Sequence, residues 1–356
     1  MMNTIPLVYY MPVYLRQNAI ETDDAALLDF CELFNIVNTN ACVIDRTGSL
    51  TSPLNLHSLY PVPEQVSTVK DFGTLCIERA AEILDEGMPV YFMYSGGLDS
   101  TAMLIAFDHV LNQRGKGFEQ LVICTSPDAQ SENPAAWHDI VMPNYKLLNT
   151  RDMMSDVKLE NYRYVQGENA DQLFGSDRVF TDAVLLHQPY SSANLRAFLS
   201  GHISDSRSQA LDRLHAEFLV LASKCPLPIR YMRDFLWWMN FTCKWQSVAL
   251  RTLSFTNVFE KGAKVPLGHI KRFDTFFNTV PFQQLAISGK LDRWGEEPTA
   301  YTYKKAARDF ILEKTGWSDY VRTKIKVGSL YNVIRQRKYV ANAIGFEDGN
   351  LFATEL

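Results

Sequence analysis

Gly96 and Gly97 stand between the apolar run Met88 to Met93 and a second apolar stretch, Thr101 to Phe107. No other feature constrains the fold as strongly. The order predicts a strand, a tight glycine turn and a helix, with Tyr94-Ser95-Gly96-Gly97-Leu98-Asp99-Ser100 as the connection. Where a strand end feeds a helix N-terminus, unpaired backbone N–H groups and the helix dipole favour an anion. The glycines let the backbone turn sharply and approach a ligand with no Cβ in the way. Ser95, Ser100 and Thr101 add hydroxyl donors. Asp99 is the odd member, because a carboxylate repels phosphate unless it caps N–H groups or meets a metal. Hydroxyls, glycines and one acid together suit a metal-bound pyrophosphate.

A second segment has the same grammar. Tyr162 to Gln166 has strand character, Gly167 turns, and Glu168-Asn169-Ala170-Asp171 opens a helix that ends near Gly175. Apolar residues from Val69 to Leu84 recur at helical spacing and Gly87 closes that helix, ahead of strand 89–94. A helix to about Gln113, a Gly115/Gly117 break and a strand from Gln120 to Thr125 follow. Strand, helix, strand implies a right-handed crossover and a parallel sheet. Ligands on such sheets bind outside the carboxyl ends of the strands. Both acid-bearing glycine turns fall at predicted strand ends, so both can face one crevice. Ser126, in Thr125-Ser126-Pro127-Asp128 after the next strand, is a candidate nucleotide contact, although Ser-Pro-Asp is also ordinary turn chemistry.

The stretch from Ser95 to Ser100 resembles the SGGxDS signature of the PP-loop ATP pyrophosphatases, which cleave ATP between the α- and β-phosphates. Gly167 to Gly175 resembles the GEGADELFGG segment of the asparagine synthetase synthetase domain, with departures at Asn169, Gln172 and Ser176. A third match is Lys304-Lys305-Ala-Ala-Arg308 followed by Arg322-Thr-Lys324-Ile-Lys326-Val-Gly328, similar to the family's basic tail. There a K-x-G lysine meets the phosphates and the reacting carbonyl; Lys326 matches it, with Lys324 as the competing position. Lys264-Val265-Pro266 resembles the start of the family's R-V-P-F-L-D run, but Leu267-Gly268-His269 replaces Phe-Leu-Asp. The resemblance spans roughly residues 66 to 335.

What the resemblance implies is an ATP-dependent amide-forming ligase. A carboxylate attacks the α-phosphorus, pyrophosphate leaves, and ammonia or another amine displaces AMP. Ser95, Gly96, Gly97, Asp99, Ser100, Thr101, Ser126, Gly167 and Glu168 would hold ATP; Asp99 and Asp171 would hold Mg²⁺; Asp171 and Lys326 would be catalytic. Two alternatives stay open: adenylation of a nucleobase or tRNA carbonyl, and an inactive nucleotide-binding subunit. Glutamine-using relatives begin with a glutaminase whose nucleophile is an N-terminal cysteine. This sequence starts Met1-Met2-Asn3 and its first cysteine is Cys31, so no glutaminase is expected unless a separate amidotransferase subunit supplies one.

The predicted class is α/β, a doubly wound, mainly parallel sheet with a largely helical C-terminal part. Residues 1–65 form a small α+β piece with strand character at Pro6–Leu15 and Ala41–Asp45 around a helix at Asp23–Phe34. The ligase-like domain covers 66–340 and a tail covers 341–356. Helices are expected at Ser208–Ser223, Tyr231–Leu253, Phe273–Ile287, Tyr301–Glu313 and Tyr320–Arg337. Trp237, Trp238 and Trp245 are assigned to core. A net charge of −5 argues against a duplex nucleic-acid partner. Six scattered cysteines without a C-x-x-C pair fit reduced thiols in a cytoplasmic protein, and no apolar run is long enough to span a bilayer. The expected partners are a small carboxylate and an amine, with no membrane.

Overall fold

The computed structural model describes residues 5–37, 42–175, 179, 182–325 and 340–356. Its centre is a five-stranded, all-parallel sheet. The strands are β2 (Val90–Tyr94), β3 (Leu121–Thr125), β4 (Lys146–Asn149), β5 (Arg163–Gln166) and β7 (Phe273–Thr275), in the order β4-β3-β2-β5-β7. The chain starts in the middle at β2, moves outward through β3 and β4, then returns to the other side of β2 as β5. Such an open α/β order is compatible with double winding. Its switch point lies between β2 and β5, the place where these sheets open a crevice at their carboxyl ends. The strands that flank it are those followed by the two acidic glycine turns.

β2 pairs along its whole length with β3, from Val90↔Leu121 to Tyr94↔Thr125, and with β5 from Val90↔Arg163 to Phe92↔Val165. Helix α3 (Phe72–Asp85) starts at Asp71, whose side chain accepts the Thr74 N–H, and packs on helix α4 (Leu98–Arg114). From Ser100 to Phe107 every residue of α4 is buried. An all-round buried face suits a helix enclosed between a sheet and other helices, here α3 and Lys305–Thr315. β7 is pinned by charge: Asp274 pairs with Arg79 of α3 and, at 2.7 Å, with Arg163 of β5. Burial pushes the Asp274 carboxyl up although both guanidinium groups pull it down.

A second, four-stranded sheet joins the two ends of the chain. β1 (Leu7–Tyr10) and β9 (Asn350–Thr354) lie antiparallel on either side of β8 (Ala343–Glu347), and the two-residue β6 (Val265–Pro266) extends β9. The expected boundaries at 65 and 341 therefore fall between elements that share one sheet. The strand expected over Pro6–Leu15 stops at Tyr10, because Pro12 begins helix α1 (Pro12–Thr22) at a position where its missing N–H costs nothing. Helix α2 follows at Ala25–Val37. Cys42 to Asp45 is no strand. Ile44 and Arg46 instead donate backbone N–H groups to the carbonyls of Cys243 and Thr242, filling acceptors that a helix end leaves open. Beneath them the buried Arg46 guanidinium donates to Phe241 O (2.7 Å) and Gln283 Oε1 (2.7 Å), with Trp245 and Phe241 rings against it.

Most of the other predicted helices are shorter than their periodicity suggests. Phe273 starts β7, and its helix begins only at Val280. The run from Tyr231 divides into Met232–Cys243 and Trp245–Arg251, and helix Ala210–Ser223 matches its expectation closely. Of the Tyr301–Glu313 and Tyr320–Arg337 predictions, helices cover Lys305–Thr315 and Ser318–Thr323; residues 326–337 lie outside the described set. Trp237, Trp238 and Trp245 are fully buried, as core residues should be. Among the described residues no helix is long and apolar enough to cross a membrane.

Candidate functional site

The turn after β2 is closed by its own serines. Ser95 N–H donates to Ser100 Oγ (3.3 Å), the two hydroxyls lie 3.1 Å apart, and Ser100 Oγ donates to Gly97 O (3.2 Å). Gly96 has φ +75°, and a Cβ there would come within 2.6 Å of both Ala129 O and Glu132 Cβ. Glycine is required on both counts. Gly97 has φ −76° and takes the N-cap position of α4, where no side chain caps the first turn. An anion-accepting helix start of 17 residues is thus left at the switch point.

Thr101 is placed differently from its expectation. Its side chain is fully buried, and its hydroxyl lies 3.1 Å from the Tyr320 hydroxyl while accepting from Asn133 Nδ2 (3.2 Å). It braces the turn from behind. Ser126 stands one residue beyond the Tyr94↔Thr125 pair, half-buried beside the glycine turn, and its carbonyl accepts the Ala129 N–H.

The second glycine turn touches the first. A Cβ on Gly167 would lie 3.4 Å from Asp99 Cβ, 3.5 Å from Ser100 N and 3.2 Å from Met103 Sδ. Asn169, where the resembling segment carries glycine, has φ +69°. Asparagine is among the few residues that tolerate this left-handed region, so the departure keeps the turn. Its amide also donates to Trp245 O at 2.9 Å. Gln172 is buried, and its amide donates to Asn240 Oδ1 at 3.4 Å. An unpaired carboxylate buried there would carry a heavy desolvation cost, which the neutral amide avoids. Glu168 forms an ion pair with Arg251 at 2.8 Å.

Among the described residues, Asp99 and Asp171 meet on the ammonium of Lys304. Lys304 Nζ lies 2.6 and 2.5 Å from the two Asp99 carboxylate oxygens and 2.9 Å from Asp171 Oδ1. Lys304 precedes helix Lys305–Thr315 with φ 63° and ψ 40°, a left-handed backbone unusual for a lysine, and is 4% exposed. That conformation explains why the helix starts four residues later than its periodicity suggests. Tyr303 reaches the same place: its hydroxyl is 3.4 Å from Asp171 Oδ1, and its ring abuts Gly175, where a Cβ would be 2.9 Å from Tyr303 Cε2. Arg308 is buried and locks this corner, donating to the carbonyls of Tyr303 (2.7 Å), Val321 and Lys324 (2.8 Å).

Of the two lysines considered for catalysis, Lys326 lies outside the described residues. Lys324 pairs with Glu132, and burial lowers its pKa. It borders a cavity of about 390 Å³ lined also by Glu132, Asn133, Asp319, Tyr320 and Thr323. The Lys264–His269 segment forms β6 and a short helix, with Lys264 ion-paired to Glu347 at 3.0 Å.

Among the described residues no cluster of three or more histidine, cysteine or acidic side chains forms a metal cage. Magnesium does not need one, since one or two carboxylates plus phosphate oxygens suffice. Asp99 and Asp171 fit that donor set. The sequence singled out both acids and both glycine turns. It named Lys304 only as part of a basic run, and it gave no sign of Tyr303, Tyr320, Arg251 or Asn133. Comparison with protein-family models and with curated proteins finds no match for this chain.

Proposed function

We propose that the chain is an ATP-dependent carbon–nitrogen ligase of the asparagine synthetase-like PP-loop type. The observation that carries this is the meeting of Asp99 and Asp171 on Lys304 at the switch point between β2 and β5. A carboxylate oxygen of the substrate attacks the α-phosphorus, the bond to the bridging oxygen breaks, and pyrophosphate departs. The amine nitrogen then attacks the acyl carbon, AMP leaves with the bonding electrons, and the amine proton passes to solvent. The N-terminus of α4 and the Ser95–Ser100 turn receive the pyrophosphate, whose departing charge needs N–H donors and cations. Magnesium held by Asp99 and Asp171 would supply positive charge there. Lys326 takes the α-phosphate or acyl oxyanion on the strength of the resemblance alone.

The thiols weigh against a sulfur-transferring relative. Burial pushes Cys31 and Cys225 up to about 11, Cys42 and Cys124 to about 12, and Cys76 and Cys243 well above the ordinary thiol value. None is an activated thiolate.

The test is ATP–pyrophosphate exchange across a panel of carboxylic acids, which identifies the activated acid before the amine is known. One acid should support exchange. Ser95→Ala, Asp99→Asn and Asp171→Asn should each reduce it by at least a thousandfold, and wild-type exchange in either aspartate variant overturns the assignment.

A further inference from the structure

We infer that Lys304 is a resident counter-ion that holds the Asp99–Asp171 pair closed to divalent cations until a nucleotide brings the metal in. The inference rests on the nucleotide reading above and extends it to the state without ligand. Three carboxylate oxygens from two separate glycine turns lie within 2.5 to 2.9 Å of one Nζ. A magnesium ion bonds its oxygens at about 2.0–2.1 Å. A metal placed in the gap that Nζ occupies would sit against the ammonium, and the two cations would repel strongly at short range. The acid pair is therefore preassembled, and its centre is taken.

The backbone supports a dedicated role. Lys304 adopts φ 63° and ψ 40° without being glycine, a strained conformation that persists only where its surroundings impose it. Those surroundings are specific. Lys304 N–H donates to Arg293 O at 2.9 Å, and the preceding carbonyl, Tyr303 O, accepts from the buried Arg308. A lysine required only for solubility would not be buried to 4% exposure and turned inward at such a backbone. Lysine suits the task better than arginine. Its compact ammonium can leave two carboxylates by rotating a flexible stem, whereas a planar guanidinium would grip one of them bidentately.

The experiment is a Mn²⁺ titration followed by electron paramagnetic resonance, on the full chain without nucleotide. Wild type should bind Mn²⁺ weakly, and Lys304→Met should bind it at least tenfold more tightly. Adding Asp171→Asn to Lys304→Met should reverse the gain, and Lys304→Arg, which keeps the charge, should bind as weakly as wild type. A folded Lys304→Met protein, judged by its thermal melt, that binds Mn²⁺ no better than wild type overturns the inference. So does a Lys304→Arg protein that binds as tightly as Lys304→Met. If Lys304→Met does not fold, Lys304→Gln takes its place with the same expectation. Wild-type ATP–pyrophosphate exchange is read separately. Exchange without the Mn²⁺ gain defeats the counter-ion role alone, and a Mn²⁺ gain without exchange for any acid defeats the ligase reading alone.

Discussion

The Tyr320 hydroxyl donates to the Gly96 carbonyl over 2.9 Å, tying helix Ser318–Thr323 to the turn after β2 across more than two hundred residues of chain. The Gly96 carbonyl and the Asn133 amide set the direction of the bonds around it. Asn133 Nδ2 donates to Thr101 Oγ1, Thr101 donates to the Tyr320 oxygen, and Tyr320 donates to Gly96. Burial raises the Tyr320 pKa, so the phenol keeps its proton. The glycine turn thus owes its position to a hydrogen-bonded chain behind it as well as to its own glycines.

Tyr320→Phe should therefore loosen the turn without emptying the core. Removing the hydroxyl leaves the Gly96 carbonyl and the Thr101 hydroxyl each short of a partner, at a cost of about 1–3 kcal/mol in unfolding free energy. Calorimetry with Mg·ATP should show affinity falling by about tenfold, while Tyr91→Phe, away from the turn, leaves it unchanged. Equal ATP affinity in Tyr320→Phe and wild type would separate this chain of bonds from the nucleotide site.

Asn169 offers a test of backbone strain. Ala at a φ of +69° should destabilise the protein by about 1–2 kcal/mol for the left-handed backbone alone, and more for the lost bond to Trp245 O. Gly restores the freedom but not the bond, so Asn169→Gly should be milder than Asn169→Ala. Chemical denaturation of both variants measures the order, and the reverse order would mean that the left-handed backbone at 169 carries no net cost for a side chain.

Thiol reactivity should follow the raised pKa values. A raised thiol pKa means that thiolate appears only as pH climbs toward it, and at pH 8 a group near 11 is roughly one part in a thousand thiolate. Cys225 is the least buried of the six and should lead a slow native reaction with a disulfide reagent. Its rate should rise about tenfold per pH unit up to about pH 11. All six should react at once in guanidinium. A fast native thiol at pH 7 would revive the sulfur-transfer alternative.

Much of the centre was legible because its signals are local. A buried strand, a glycine pair and a helix start occupy adjacent positions, so Val90–Tyr94, Gly96 and Leu98–Arg114 follow from periodicity and glycine chemistry. The repeated acidic turn at Gly167 marked a second strand end in the same way. The second sheet left no comparable signal: β6 has two residues, and β1 and β8 pair from opposite ends of the chain. Edge pairings of this kind depend on what the rest of the fold brings near.

Sequence alone determined the parallel α/β core, the two glycine corners and the acids they carry, since each depends on residues within a turn or two of one another. Tertiary structure alone decided that these acids share a lysine, that Thr101 faces inward to Tyr320, and that Gln172 pairs with Asn240. The reason is distance along the chain. A helical period or a turn preference is set by neighbours, whereas the sequence separation of 205 from Asp99 to Lys304 is closed only by packing of the whole sheet and its helices.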